Sequence, residues 1–178
     1  MGTTVRGIEH IGLTVPDIEE ATIFFQQAFD AKVAYDSKTP QEDVVGGKEI
    51  ETILGLKKGA KIVHMRMISI GKSISIELFQ YQDVDQHLPS NPDDFGIQHL
   101  AVYVDDIENA VKDFEQAGGR LNTAPTVMLN EIEGHHENNQ FIYGVTPWGT
   151  VIELITYPHG IAYPSDSEAS RFTPPKSE

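Results

Sequence analysis

The sequence predicts an α+β fold built from two copies of one β-α-β-β-β module, and three observations predict it. The stretch GIEHIGLTVPDIEEA at 7–21 returns 89 residues later as GIQHLAVYVDDIENA at 96–110, with eight of fifteen positions identical. Near the end of each half an alternating hairpin carries the same tripeptide, Ile76-Glu77-Leu78 and Ile152-Glu153-Leu154. In both halves a strand of period two runs straight into a helix start. Self-similarity of this kind sets the architecture and marks equivalent positions in the two halves. It defines one domain over 5–157, with modules near 5–90 and 94–157, and a C-terminal tail over 158–178.

The first strand is read from residues 7–15, where Ile11, Leu13 and Val15 share one face and His10, Gly12 and Thr14 the other. Pro16-Asp17 stops it. Asp17 then caps a helix to about Phe29, with Ile18, Ala21, Ile23, Phe24, Phe25 and Phe29 as its apolar positions. Lys32–Asp36 reads as a short strand, and 37–59 as a polar, glycine-containing excursion. The segment KIVHMRMISIGKSISIELFQY at 61–81 reads as a hairpin turning at Gly71-Lys72.

The second module repeats the plan. A strand over 97–104 passes through Asp105-Asp106 into a helix to about Ala117, which Gly118-Gly119 ends. A short strand falls near 120–128, followed by the loop LNEIEGHHENNQ and a hairpin turning at Pro147-Trp148-Gly149. Trp148 in that turn reads as structural. The tail, rich in Pro, Ser and charge, reads as a loosely packed wrap or a partly disordered end.

Composition narrows the function. A net charge of −14 argues against nucleic acid or an anionic membrane as partner. No apolar run approaches the roughly 18 residues of a membrane span, and MGTTVRGIEH lacks the apolar core of a signal peptide, so a cytoplasmic protein is expected. The absence of cysteine removes disulfides, thiolate metal ligands and a cysteine nucleophile together.

The chemistry-bearing residues follow from strand parity. Ile74, Ile76 and Leu78 form one continuous apolar face, which a helix must cover, and this turns Glu77 to the other side. Ile152 and Leu154 do the same for Glu153, and Ile11/Leu13 and Leu100/Val102 for His10 and His99. One His or Glu on an alternating strand is ordinarily just solvent-facing. Two pairs at equivalent repeat positions are a different matter. If the two modules set those faces around a common cleft, two imidazoles and two carboxylates meet there. Such carboxylates are costly unless paired or metal-bound, and the mixed N/O set suits a divalent ion such as Zn, Ni, Co, Mn or Fe(II).

Weaker candidates accompany them. Val63, Met65 and Met67 read as the core face of their strand, which puts His64 and Arg66 on the opposite one, where Arg66 is a candidate clamp for a substrate carboxylate. The alternative makes both surface residues of an outer strand. Tyr81 and Tyr103 are candidate cleft-lining residues. His135-His136 lies in the acidic loop, read as solvated, with a lid over the site as the functional alternative.

These residues resemble the vicinal oxygen chelate superfamily, which includes glyoxalase I, methylmalonyl-CoA epimerase, extradiol dioxygenases and fosfomycin or bleomycin resistance proteins. The likeness covers about 5–157 and rests on the H-I-G-L-T-V-P-D and H-L-A-V-Y-V-D-D strands and on W-G-T-V-I-E-L. The opening looks more like methylmalonyl-CoA epimerase, and the ending more like glyoxalases and dioxygenases. The resemblance implies two βαβββ modules in an incomplete barrel around a metal cleft, with His10, Glu77, His99 and Glu153 as metal ligands. It further implies an isomerase, epimerase or lyase that acts on a small hydroxy- or oxo-carbonyl substrate through a metal-stabilised enolate or enediolate. Glu153 or Glu77 would be the base, and sequence symmetry gives no choice between them. An Fe(II)-dependent extradiol-type dioxygenase, using His10, His99 and Glu153, is one alternative, and a small-molecule-binding resistance protein is another. A homodimer is the expected assembly; module pairing within one chain or across a dimer stays open.

Overall fold

A computed structural model describes residues 7–128, 132–133, 136–169 and 171–175. The chain divides into two compact units. One comprises the chain up to Gln26 together with Asp30–His87, and the other Gln27–Phe29 together with the chain from Leu88.

The first unit runs β1 (His10–Thr14), α1 (Ile18–Phe29), β2 (Lys32–Lys38), β3 (Val45–Gly46), α2 (Lys48–Leu54), β4 (Lys61–Ser69) and β5 (Ser75–Gln82), with the last turn of α1 falling in the second unit. Its sheet has the order β1-β5-β4-β2, with β3 added beside β4. β1 lies parallel to β5, and the remaining pairs are antiparallel. The second unit runs β6 (Leu100–Tyr103), α3 (Ile107–Gln116), β7 (Arg120–Leu121), β8 (Thr126–Val127), β9 (Gln140–Val145) and β10 (Val151–Thr156). Its sheet, β6-β10-β9-β7, repeats the pattern with β6 parallel to β10. The duplicated β-α-β-β-β reading therefore holds as two mixed sheets.

The repeated helix starts work as the sequence implied. The Asp17 carboxylate accepts from Glu20 N–H at 2.9 Å, and Asp106 accepts from Asn109 N–H at 3.0 Å, each satisfying a donor the first helical turn leaves open. α1 buries Ile18, Ala21, Phe24, Phe25 and Ala28, while Ile23 faces out. α3 buries Ile107, Ala110 and Phe114. Burying a ring such as Phe114 contributes about 2–3 kcal/mol. Gly119 and Gly144 make room for it: an added Cβ would lie 2.2 Å and 2.8 Å from that ring.

Two expectations change. The 37–59 excursion is not all loop, because β3 pairs with β4 and α2 follows it. α2 has Gly47 at its N-cap with no side-chain cap bond, and Gly55 at its C-cap in the left-handed region. It therefore lacked the start signal that marks α1 and α3. The strand near 120–128 is two short bridges, Arg120–Leu121 and Thr126–Val127, each on β9. Among the described residues no helix is long and apolar enough to cross a membrane.

Candidate functional site

Glu77 sits in mid-β5, where Ile76 and Leu78 are buried on the helix side and Glu77 turns to the other face. The ladder puts Gly12 directly opposite Glu77, and His10 two residues earlier on the same face. The second unit copies this, with Ala101 opposite Glu153 and His99 two residues before it. A small residue at the directly opposed position leaves space beside each carboxylate. The histidine then leans in along the diagonal, a separation of about 7–8 Å that long side chains bridge. Nε2 of His10 lies 3.4 Å from a Glu77 carboxylate oxygen, and Nε2 of His99 lies 3.1 Å from one of Glu153.

These distances suit two neighbouring ligands of one ion. An imidazole nitrogen and a carboxylate oxygen bound at about 2.0–2.2 Å with tetrahedral or octahedral angles stand roughly 3.0–3.4 Å apart. Each unit thus supplies one N and one O donor, and no group of three or more His, Asp or Glu assembles among the described residues. Within each unit, the donor chemistry of the His–Glu couple fits part of a divalent ion's coordination.

The surroundings of the two pairs differ. Glu77 has Met67 as its antiparallel neighbour, whereas Glu153 has Tyr143. Burial, then the charge of Glu153 and hydrogen bonding toward it, push the Tyr143 hydroxyl above the usual phenol range. Tyr143 also meets the His99 ring edge-on at 5.1 Å. Glu153 is 7 % exposed, and the Glu77 side chain is 18 % exposed. Tyr143 escaped the sequence reading. Its signal was available in the parity of β9, which places it on the Glu153 face.

His10 has a further partner, because its Nδ1 is paired with Glu9. That hydrogen bond is the largest effect and holds the imidazole pKa above its ordinary value against desolvation, the second largest, with the charges of Glu9 and then Glu77 adding to the rise.

The weaker candidates divide. Tyr81 shares the Glu77 face, stacked on Phe79 at 6.0 Å, and burial followed by the Glu77 charge raises its pKa. Tyr103 shares the Glu153 face and meets Tyr157 edge-on at 4.8 Å. His64 and Arg66 are corrected. Arg66 pairs with Leu78 in the ladder and Met67 with Glu77, so it is Met67 that shares the Glu77 face, while His64 and Arg66 lie buried beneath α1. All five Arg66 N–H groups are used. Nε donates to Asp36 at 2.7 Å, Nη1 to Glu19 and Thr22 at 2.9 and 3.0 Å, and Nη2 to Glu19 and Asp36 at 2.9 and 3.1 Å. His64 Nε2 is 3.2 Å from the same Asp36. Arg66 bonds hold Asp36 below the usual carboxylate range. This is a buried structural network, not a substrate clamp. Of the loop histidines, His135 lies outside the described residues, and His136 stacks on His159 with centroids 3.4 Å apart.

Comparison with known proteins agrees with this architecture. Residues 9–136 match the model of the Glyoxalase/Bleomycin resistance protein/Dioxygenase superfamily. The chain is 30% identical over 171 residues to a 2-epi-5-epi-valiolone epimerase from an Actinomyces species, covering 94% of this chain and 88% of that one. A glyoxalase family protein from Bacillus cereus superposes with a TM-score of 0.65 at 17% identity, over 86% of this chain and 95% of the other. Glyoxalase I from Zea mays does so with a TM-score of 0.56 at 18% identity, over 83% and 43%. A mutant of the fosfomycin resistance protein FosX from Listeria monocytogenes, complexed with Mn(II) and 1S,2S-dihydroxypropylphosphonic acid, gives 0.52 at 14% identity, over 85% and 90%.

Proposed function

The chain belongs to the glyoxalase/bleomycin resistance protein/dioxygenase superfamily, and from that premise we propose that it is a divalent-metal-dependent isomerase. It would act as an epimerase at the carbon next to a carbonyl of a small hydroxylated substrate. The observation that carries this reading is the pair of repeat-equivalent His–Glu couples, His10/Glu77 and His99/Glu153, each spaced as neighbouring ligands of one ion. These four residues are the proposed ligands. The name of the Actinomyces relative supports the epimerase reading over a lyase.

A bound divalent ion supplies positive charge that stabilises negative charge developing on the substrate oxygen and so acidifies the neighbouring C–H. The protein's own part is proton transfer. Glu153, the more buried of the two carboxylates and faced across the ladder by Tyr143, is the proposed base that takes the proton from carbon. Glu77 lacks such a partner on β4, where Met67 occupies the corresponding place. Inversion is completed when solvent delivers a proton to the opposite face of the carbon and Glu153 releases the abstracted proton to solvent.

The test combines metal analysis with solvent exchange. The purified chain should take up a divalent ion such as Mn(II) or Zn(II), and should place deuterium from D2O at the carbon beside the carbonyl of 2-epi-5-epi-valiolone or of its phosphate ester. Glu153→Gln should abolish exchange, and Glu77→Gln should weaken metal binding. A chain that gains no metal on dialysis would favour a metal-free binding protein. Oxygen consumption with catechols under Fe(II) would favour the dioxygenase.

A further inference from the structure

The tail after β10 is tied down on the Glu153 face of the second sheet. Ile155 and Tyr157 follow Glu153 at alternate positions, and with Met128 they form a buried cluster against which Tyr103, Phe141 and Ile161 pack. Asn139, fully buried, joins the 132–139 loop to the tail. Its Nδ2 donates to the carbonyls of Glu133 at 3.0 Å and Gly160 at 3.2 Å, and its Oδ1 accepts from His159 N–H at 3.3 Å. Ala162 N–H donates to the Ile132 carbonyl at 2.6 Å, and the Tyr157 hydroxyl bonds Thr173 at 3.0 Å.

This strap delivers one cation. The Arg171 backbone N–H donates to the Tyr163 hydroxyl at 2.7 Å, and the guanidinium carbon lies 5.3 Å from the centroid of the Tyr157 ring. Its single side-chain bond among the described residues runs from Nη1 to Glu133 at 3.3 Å, a long contact, and the side chain stays 37 % exposed. The contrast with Arg66, whose donors are all spent inside the fold, is direct. Tyr157 is four residues on from Glu153 in extended chain, so its ring belongs to the Glu153 face, and the guanidinium lies over that ring. The cation therefore stands on the same face as the Tyr143/Glu153 pair, over a residue roughly 13 Å along the strand from Glu153.

We propose that Arg171 is an anion-recognition residue of this site. It would take a phosphate or carboxylate at the end of the substrate remote from the reacting carbon, in place of its contact with Glu133. The proposal rests on the reading of Glu153 as the reacting end, and adds a substrate class to it. An aromatic floor beneath the guanidinium and a weakly held acidic partner keep the fork oriented and exchangeable. An oxyanion that accepts two N–H bonds replaces one long contact with two short ones.

The test is binding of inorganic phosphate and of succinate to the whole chain, followed by calorimetry, with no metal or turnover needed. Arg171→Met should weaken binding by at least about tenfold, and Arg171→Lys should recover part of it. Glu133→Gln removes the competitor and should tighten binding by about threefold, the value of an exposed ion pair. These opposite directions separate recognition from strapping, since a purely structural ion pair would make both variants lose binding together. Preference for phosphate over succinate, or the reverse, identifies the group. Equal binding by Arg171→Met and the parent, or no binding of either anion by the parent, overturns the proposal. Neither outcome touches the metal and exchange results, so the two readings fail separately.

Discussion

His10 reaches Glu77 along a diagonal: the residue that faces Glu77 directly across the parallel ladder is Gly12, and the Nε2-to-carboxylate distance is 3.4 Å. The site geometry thus depends on a small residue at that place. Ala101 holds the same place beside Glu153. An added Cβ at Gly12 would meet Phe79 at an ordinary 3.6 Å, so Gly12→Ala should fold and bind metal like the parent. Gly12→Leu and Ala101→Leu fill the space the imidazole crosses. Each should weaken Mn(II) binding by about tenfold or more, as loss of a ligand's orientation does, with the change in melting temperature kept small. Metal titration beside thermal unfolding checks this.

Tyr143 breaks the symmetry of the repeat, and with it the equivalence of the two glutamates. Tyr143→Phe removes the hydroxyl across the ladder from Glu153 while keeping the ring against His99. Turnover should fall by about 10–100-fold, with little loss of stability. Changing Met67 to Leu beside Glu77 should leave turnover near the parent's. The comparison of kcat for the two variants decides whether Glu153 is the residue that moves the proton.

Glu9 makes His10 harder to deprotonate, and a metal needs the neutral ring. Metal affinity should therefore fall with decreasing pH, beginning above the ordinary imidazole value of about 6.5. Glu9→Gln should move that midpoint to lower pH. In the metal-free chain the sign is opposite. The protonated His10 stabilises the fold below the ordinary value, and this contribution is lost as pH rises through the raised one. Metal titrations and thermal unfolding across about pH 5 to 8, where imidazoles titrate, read both effects.

Arg66 predicts a stability effect without a substrate effect. Arg66→Met leaves Asp36 and Glu19 without their shared cation and should cost about 2–4 kcal/mol, somewhat less than a fully buried pair because Glu19 is exposed. KM should not change. Since Arg66 lowers the Asp36 pKa, that stabilisation is present above the ordinary carboxylate value and is lost as pH falls through the lowered one. Urea unfolding of parent and variant at neutral and acid pH should converge at low pH.

The repeated strand starts, the aspartate caps and the face of each His and Glu were legible in the sequence, because period two and capping are local properties of a chain. Parity failed on β4 for a physical reason. Alternation separates two faces of a strand, but it does not say which one a helix covers when both are partly apolar. There, Met67 took the Glu77 face, and His64 and Arg66 were buried because Asp36, Glu19 and Thr22 satisfy them from other elements. The same limit hid Tyr143 and Arg171. Their importance lies in which strand neighbours Glu153 and where the tail returns, and these are set by contacts between residues distant in the chain. The sequence by itself determined a duplicated fold and two His–Glu couples. Only the tertiary structure decided that a tyrosine faces one couple across the ladder, and that an arginine from the tail shares its face.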